Sequence, residues 1–233
     1  LSHLVFNQKQ SLKNQCLMNK ALLQIKDLGI GFKRKGQEKV IQDHLDLSIQ
    51  GGDFICLIGP NGVGKSTLLK TLGKIIPPLS GDVFLHGTNY SQINSNEFSR
   101  NIGLVLTEKL DDSQLTAADV ISMGRYPYTG FWGKLQKSDW EIVDESAHKV
   151  GLKDLLHRPF IELSDGEKQK VMIAKALAQQ TPLMLLDEPT AFLDFPTKTS
   201  LLIMLRKLAR TQKIAIILST HDIELAIKTD NQI

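Results

Sequence analysis

The residues with the clearest chemistry run without a break: Gly59-Pro60-Asn61-Gly62-Val63-Gly64-Lys65-Ser66-Thr67. They contain G-x-x-x-x-G-K-[ST], the pattern of a loop that cradles phosphate groups. Glycines let successive backbone N–H groups turn inward around phosphate oxygens. A helix opening near Lys65 offers its positive end to the same anion. The Lys65 ammonium is placed to reach the β- and γ-phosphates of a nucleotide. The Ser66 hydroxyl is placed to ligate Mg2+, and Thr67 to hydrogen-bond a phosphate. An ordinary glycine turn could share part of this pattern. Its context favours the ligand, because the apolar run Phe54-Ile55-Cys56-Leu57-Ile58 precedes it and an amphipathic segment follows.

A second group of acids has the matching form. Leu183-Met184-Leu185-Leu186 is apolar throughout and ends in Asp187-Glu188-Pro189. An Asp at a strand end beside a phosphate loop can hold Mg2+. The next residue, Glu188, is aimed differently and can polarise an attacking water. By itself the pair reads equally well as an acidic turn closed by proline. With the phosphate loop in the same chain, the functional reading takes precedence.

These groups need rigid elements to hold them. Leu22–Ile25 and Val40–Ile49 alternate apolar and polar residues, as half-buried strands do. Phe54–Ile58, Leu183–Leu186 and Ile214–Leu218 are continuously apolar, which suits strands covered on both faces. Asp82–Leu85 reads as a short strand. Helical spacing appears over about 65–72, 139–150, 164–180 and 197–210. It places Trp140, Val143, Ala147 and Val150 on one face, and Val171, Ala174, Leu177 and Ala178 on another. Apolar strands interleaved with helices indicate an α/β protein with a largely parallel core.

Composition narrows the class. The chain has 233 residues, 42% hydrophobic and 23% charged, as one large globular domain would. Its 28 basic and 25 acidic residues leave a net charge of only +3. The one dense basic run, Lys33-Arg34-Lys35, reads as a solvated turn, so nothing argues for nucleic acid. Cys16 and Cys56 form neither a disulfide framework nor a zinc site, which fits a reducing cytosolic compartment. No apolar stretch approaches the ~18 residues of a membrane span. Residues 1–20 are polar and read as a disordered leader, with Met18 as a plausible natural start.

A further segment sets the subclass. Leu163-Ser164-Asp165-Gly166-Glu167-Lys168-Gln169 lies between the phosphate loop and the two acids. Ser164 and Glu167 alone make an S-x-x-E capping box, which needs no ligand. In this order of motifs, however, the segment resembles the signature L-S-G-G-Q of the ATP-binding-cassette (ABC) ATPases. Ser164 and Gly166 remain, while Asp165 and Glu167 depart from the family pattern. The resemblance covers roughly residues 21–233. It implies a P-loop NTPase core with an antiparallel β subdomain and an inserted α-helical subdomain at about 94–180. It also implies ATP and Mg2+ as cofactors. Ser164 and Gly166 would then bind the γ-phosphate held by a second subunit. Phe32 would stack on adenine, Ala191-Phe192-Leu193-Asp194 would cross to the partner, and His221 would sense the γ-phosphate.

The resemblance is incomplete in two places. Thr107, followed by Glu108, occupies the position of a family Gln that links Mg2+ and water to the membrane partner. Thr107 could still meet the metal, with a shorter reach. The chain also stops at Thr229-Asp230-Asn231-Gln232-Ile233, where the family usually continues, which reads either as a truncated C-terminus or as a naturally short protein. Gly124-Arg125-Tyr126-Pro127-Tyr128-Thr129-Gly130-Phe131-Trp132-Gly133 resembles a segment of the ATPases that drive iron-siderophore, haem and vitamin B12 importers. On this reading two copies form a head-to-tail homodimer at the cytoplasmic face of the cell membrane. They drive a membrane permease, with a substrate-binding protein acting indirectly. Lys65, Glu188 and His221 carry the hydrolysis. The alternative is a soluble, non-transport ABC ATPase that acts in assembly or as a clamp.

Overall fold

The computed structural model describes residues 5–6, 21–34, 37–106, 114–130, 132–191 and 193–221. Two sheets carry the architecture. The first holds β4 (Phe54–Ile58), β7 (Ile102–Val105), β8 (Leu183–Leu186) and β9 (Ala215–Thr220), all parallel, in the order β4-β9-β8-β7. Within the leader read above as disordered, β1 (Val5–Phe6) pairs antiparallel with the free edge of β4. The second sheet is antiparallel, in the order β3-β2-β5-β6: β2 is Leu23–Arg34, β3 Gln37–Ile49, β5 Ser80–Leu85 and β6 Thr88–Asn89.

The parallel strands are apolar at every position because both of their faces are covered. Ile55, Leu57, Leu183, Leu185, Ala215 and Ile217 share a core with helix α1 (Lys65–Leu72) and the antiparallel sheet. The alternate residues Cys56, Ile58, Met184, Leu186, Ile216 and Leu218 share the opposite core. That core includes α3 (Ala117–Ser122), α5 (Asp165–Ala178) and α6 (Phe195–Gln212). All four residues of β8 are fully buried. Truncating one of them, for example Leu185→Ala, would cost about 2–5 kcal/mol.

Parallel register brings the motifs together. Ile58 at the end of β4 pairs with Thr220, and Leu186 at the end of β8 pairs with Leu218. The phosphate loop, Asp187-Glu188 and Ser219–His221 therefore emerge at one edge, the carboxyl ends of the strands, where open α/β sheets bind ligands.

Helix α4 (Lys137–Lys149) buries Val143, Ala147 and the following Val150 as the spacing predicts. Trp140 does not join them and is exposed. The inward place in the first turn goes to Asp139, which is 8% exposed and paired with Arg125. The helix-forming segment α2 (Ser95–Ser99) precedes β7 and is capped by Asn94.

Candidate functional site

The phosphate loop has the backbone its sequence requires. Gly62 and Gly64 lie at φ 81° and 110°. At Gly64 a Cβ would also sit 2.6 Å from Ile41 Cγ2, so only glycine fits beneath the hairpin of β2 and β3. Gly64 caps α1 without a side-chain hydrogen bond, leaving the N–H groups of the first turn open toward an anion. Lys65 is 4% exposed and folds back over the loop. Its Nζ donates to the carbonyls of Gly59 at 2.6 Å and Pro60 at 3.1 Å. Gln42 of β3 donates to the Val63 carbonyl at 3.4 Å, fixing the loop against the antiparallel sheet.

Ser66 Oγ donates to Asp187 Oδ1 at 2.8 Å, although 121 residues separate them. The sequence reading expected both at one metal position, and they do converge. A hydroxyl beside a carboxylate is a hard oxygen donor pair of the kind Mg2+ takes. Among the described residues no cluster of three or more His, Cys, Asp or Glu could hold a metal. Thr107 and Glu108 lie outside the described residues.

Glu188 adopts φ 46°, a left-handed conformation that is uncommon for a residue with a side chain. Its Oε1 lies 3.8 Å from His221 Nδ1. One residue that the motifs did not reveal joins these groups. Ser219, fully buried at the end of β9, donates its hydroxyl to Asp187 Oδ1 at 2.7 Å and accepts the Glu188 N–H at 2.8 Å. Its only sequence signal is the polar pair Ser219-Thr220 that ends an apolar strand just before His221.

Phe32 is 45% exposed on β2, opposite Lys39. It lines a groove of about 1050 Å3 with Ile75, Pro77 and Pro78. Ser164 and Gly166 lie elsewhere, in an open groove of about 450 Å3 whose lining includes none of residues 59–67. The capping box is formed there. Ser164 Oγ donates to Glu167 Oε2 at 2.8 Å, and the Glu167 N–H donates back at 3.3 Å. The Ser164 backbone N–H also donates to Glu167 Oε2 at 2.8 Å. These bonds hold the Glu167 carboxyl below its ordinary range, the backbone bond contributing most.

The Gly124–Gly133 segment divides between interior and surface. Arg125 is buried: Nε donates to Asp139 at 3.0 Å, and Nη1 to the Ala178 carbonyl at 2.7 Å and Gln180 Oε1 at 3.0 Å. Its guanidinium lies 4.1 Å from the Tyr128 ring centroid, and Tyr128 donates its hydroxyl to the Gln179 carbonyl at 2.8 Å. Gly124 permits this close approach, since a Cβ there would lie 2.1 Å from the Lys175 carbonyl oxygen. Arg125 and Tyr128 thus belong to the helical core. Tyr126 at 57% and Trp132 at 89% exposure lie at the surface.

Comparison with known proteins agrees with this geometry. A family model described as ABC transporter matches residues 42–191. An uncharacterized ABC transporter ATP-binding protein of Methanocaldococcus jannaschii is 42% identical over 207 residues, spanning 89% of this chain and 70% of the relative. The iron(3+)-hydroxamate import ATP-binding protein of Bacillus subtilis is 35% identical, over 88% of this chain and 75% of its own. The dimeric post-hydrolysis structure of an ATP-binding cassette bound to ADP and phosphate superposes with a TM-score of 0.75 at 26% identity, covering 88% of this chain and 90% of that one. The α/β fold with its phosphate loop, antiparallel sheet and helical layer is therefore that of an ATP-binding cassette, and the chain belongs to the ABC transporter family as one of its ATPases.

Proposed function

We propose that this chain is the ATP-hydrolysing motor subunit of a membrane importer whose cargo is an iron-siderophore, haem or cobalamin. The observation that carries the hydrolytic part is the convergence of Lys65, Ser66, Asp187, Glu188 and His221 at one sheet edge, with Ser66 and Asp187 at 2.8 Å. Relatedness to a ferric enterobactin transport subunit of Escherichia coli, 35% identical over 81% of this chain, supports the cargo class. So does the relationship to a cobalamin import subunit of Halobacterium salinarum, 36% identical over the same share. No helix among the described residues is long and apolar enough to cross a membrane. Attachment to permease subunits at the cytoplasmic face fits that finding.

In this reading the N–H groups of the phosphate loop and α1 hold the β- and γ-phosphates of ATP. Lys65 leaves the Gly59 and Pro60 carbonyls to meet the same oxygens. Ser66 and Asp187 hold Mg2+, which neutralises phosphate charge when bound. Phe32 stacks on the base. Glu188 orients a water and accepts its proton as the water oxygen bonds the γ-phosphorus and the bond to the ADP bridging oxygen breaks. His221 holds the Glu188 carboxylate toward that water. Two copies pack head to tail, so that Ser164 and Gly166 of each meet the γ-phosphate on the other. The Ser164 hydroxyl must then turn from Glu167. Residues 21–233 act as one nucleotide-binding unit, and Tyr126 and Trp132 face the permease.

The test is Glu188→Gln in the full chain. Turnover should fall by about 100-fold or more, within the range of a positioned general base, and Mg-ATP should trap a dimer. Capture of that dimer from gently solubilised cells should recover a multi-spanning permease. Wild-type turnover in the variant would overturn the role of Glu188. Recovery of only soluble partners would overturn the importer reading.

A further inference from the structure

We infer that Ser219 is a positioning residue for hydrolysis, setting the orientation of both acids through a single hydroxyl. This inference rests on the roles proposed above for Asp187 and Glu188. A hydroxyl has one proton to donate and two lone pairs to accept with. At Ser219 the proton goes to Asp187 Oδ1 at 2.7 Å, and a lone pair takes the Glu188 N–H at 2.8 Å. The residue is fully buried, so water cannot replace either bond without a rearrangement.

The two bonds have different consequences. Asp187 Oδ1 accepts from Ser66 as well as from Ser219. When Ser66 turns toward a metal, Ser219 remains to hold the Asp187 rotamer. Glu188 sits at φ 46°, a conformation that a side-chain-bearing residue keeps only when its surroundings impose it. The bond from its N–H to Ser219, with that from the Ala191 N–H to its carbonyl at 3.0 Å, supplies the constraint. Ser219 lies two residues before His221 on the same chain segment. It therefore ties the backbone that carries the histidine to the backbone that carries the acid, leaving 3.8 Å between their side chains. Without the hydroxyl, Glu188 keeps its chemistry and loses its aim.

The experiment compares the full-length wild type with Ser219→Ala, Ser219→Thr, Ser219→Val and Glu188→Gln. Thr and Val differ by a hydroxyl against a methyl, so that pair controls for packing and stands even if Ser219→Ala folds poorly. Turnover of Ser219→Ala should drop by about 10- to 100-fold, a loss expressed in kcat. Affinity for a fluorescent ATP analogue in EDTA should stay within about threefold of wild type, because the phosphate loop is untouched. Ser219→Thr should turn over about 10-fold faster than Ser219→Val. In nucleotide-free protein, amide hydrogen exchange over residues 187–191 should accelerate in Ser219→Val and stay slow in Ser219→Thr. Equal turnover and equal exchange in the Thr and Val variants would overturn the inference. So would Ser219→Ala turnover within about twofold of wild type, given the tenfold or greater loss expected of a misaimed base. If Glu188→Gln itself hydrolyses ATP at the wild-type rate, the underlying reading of Glu188 fails, and that outcome is distinct from a failure at Ser219 alone.

Discussion

Two buried polar clusters, one at the phosphate loop and one in the helical layer, differ in how far their bonds are closed. Around Arg125 the bonds are to the protein's own fixed groups: Nε donates to Asp139, Nη1 donates to the Ala178 carbonyl and Gln180, and Tyr128 lies against the guanidinium face. Around Lys65 the partners are the carbonyls of Gly59 and Pro60, groups that a phosphate can replace. His221 and Glu188 stand 3.8 Å apart, beyond a hydrogen bond. The two cations are almost equally buried, at 4% for Lys65 and 5% for Arg125. Burial alone therefore does not mark the reactive group. On the proposed function, the reactive cluster is the one whose contacts can be exchanged for a ligand's.

Lys65→Ala should break the comparison most strongly. The lysine stands to make charge-assisted bonds to two phosphates, each worth about 1.5–3 kcal/mol. ATP affinity should fall by about 100-fold or more, measured with a fluorescent analogue. The melting temperature should move by only a few degrees, because the two carbonyls it leaves can take water. Normal affinity in this variant would remove the phosphate-loop assignment.

Arg125→Ala should do the reverse. It leaves the Asp139 carboxylate buried without its cation and strips the Ala178 carbonyl of a donor. Breaking a buried ion pair costs about 3–5 kcal/mol. For a domain of this size that is a drop in Tm of about 6–20 °C. ATP affinity below the transition should hold. The same cluster predicts an acid limb. The N–H of Gln136, together with Arg125, holds the Asp139 carboxyl below its ordinary range. A depressed carboxyl stabilises above its unfolded pKa of about 3.9, and that stability is lost as pH falls through the folded value. Thermal melts between pH 6 and 3 should show a steeper decline in wild type than in Asp139→Asn.

The two clusters also differed in how far the sequence disclosed them. Gly59–Thr67 and Asp187-Glu188 were legible because phosphate chemistry fixes both residue type and spacing. The parallel core was legible because strands covered on both faces are apolar throughout. The antiparallel sheet was only half visible: Leu22–Ile25 and Val40–Ile49 proved to be parts of the longer β2 and β3. Register shifts between Ile25 and Gly31, with Asp27 and His44 at positive φ, break the two-residue period that would have shown their full length. The loop at Gly124–Gly133 was legible only as a resemblance to a segment of importer ATPases, without its division between interior and surface. Nothing local distinguishes Tyr128, which meets a buried guanidinium, from Tyr126, which meets solvent. Ser219 was missed for a related reason, since a single hydroxyl at a strand end has no periodicity. Its meaning comes only from the register that sets β9 beside β8.

The smallest expected effect concerns Glu167, where the closed and exchangeable kinds of bond meet in one residue. Its carboxylate completes the capping box and holds the Ser164 hydroxyl, a closed arrangement. The proposed dimer asks that hydroxyl to open toward a phosphate, with an acid still at its back. Gln at this position satisfies the same capping box, so Glu167→Gln should leave the helix formed. It removes one negative charge from a surface expected to face the γ-phosphate. Unit charges about 4 Å apart in water interact by about 1 kcal/mol, which corresponds to about a fivefold change in affinity. In a Glu188→Gln background, the Mg-ATP dimer should therefore form at severalfold lower protein concentration when Glu167 is also Gln, as read by sedimentation. The gain should shrink as salt screens the repulsion. A weaker dimer in the double variant would mean instead that the carboxylate orders Ser164 for its contact, making the bond a productive one.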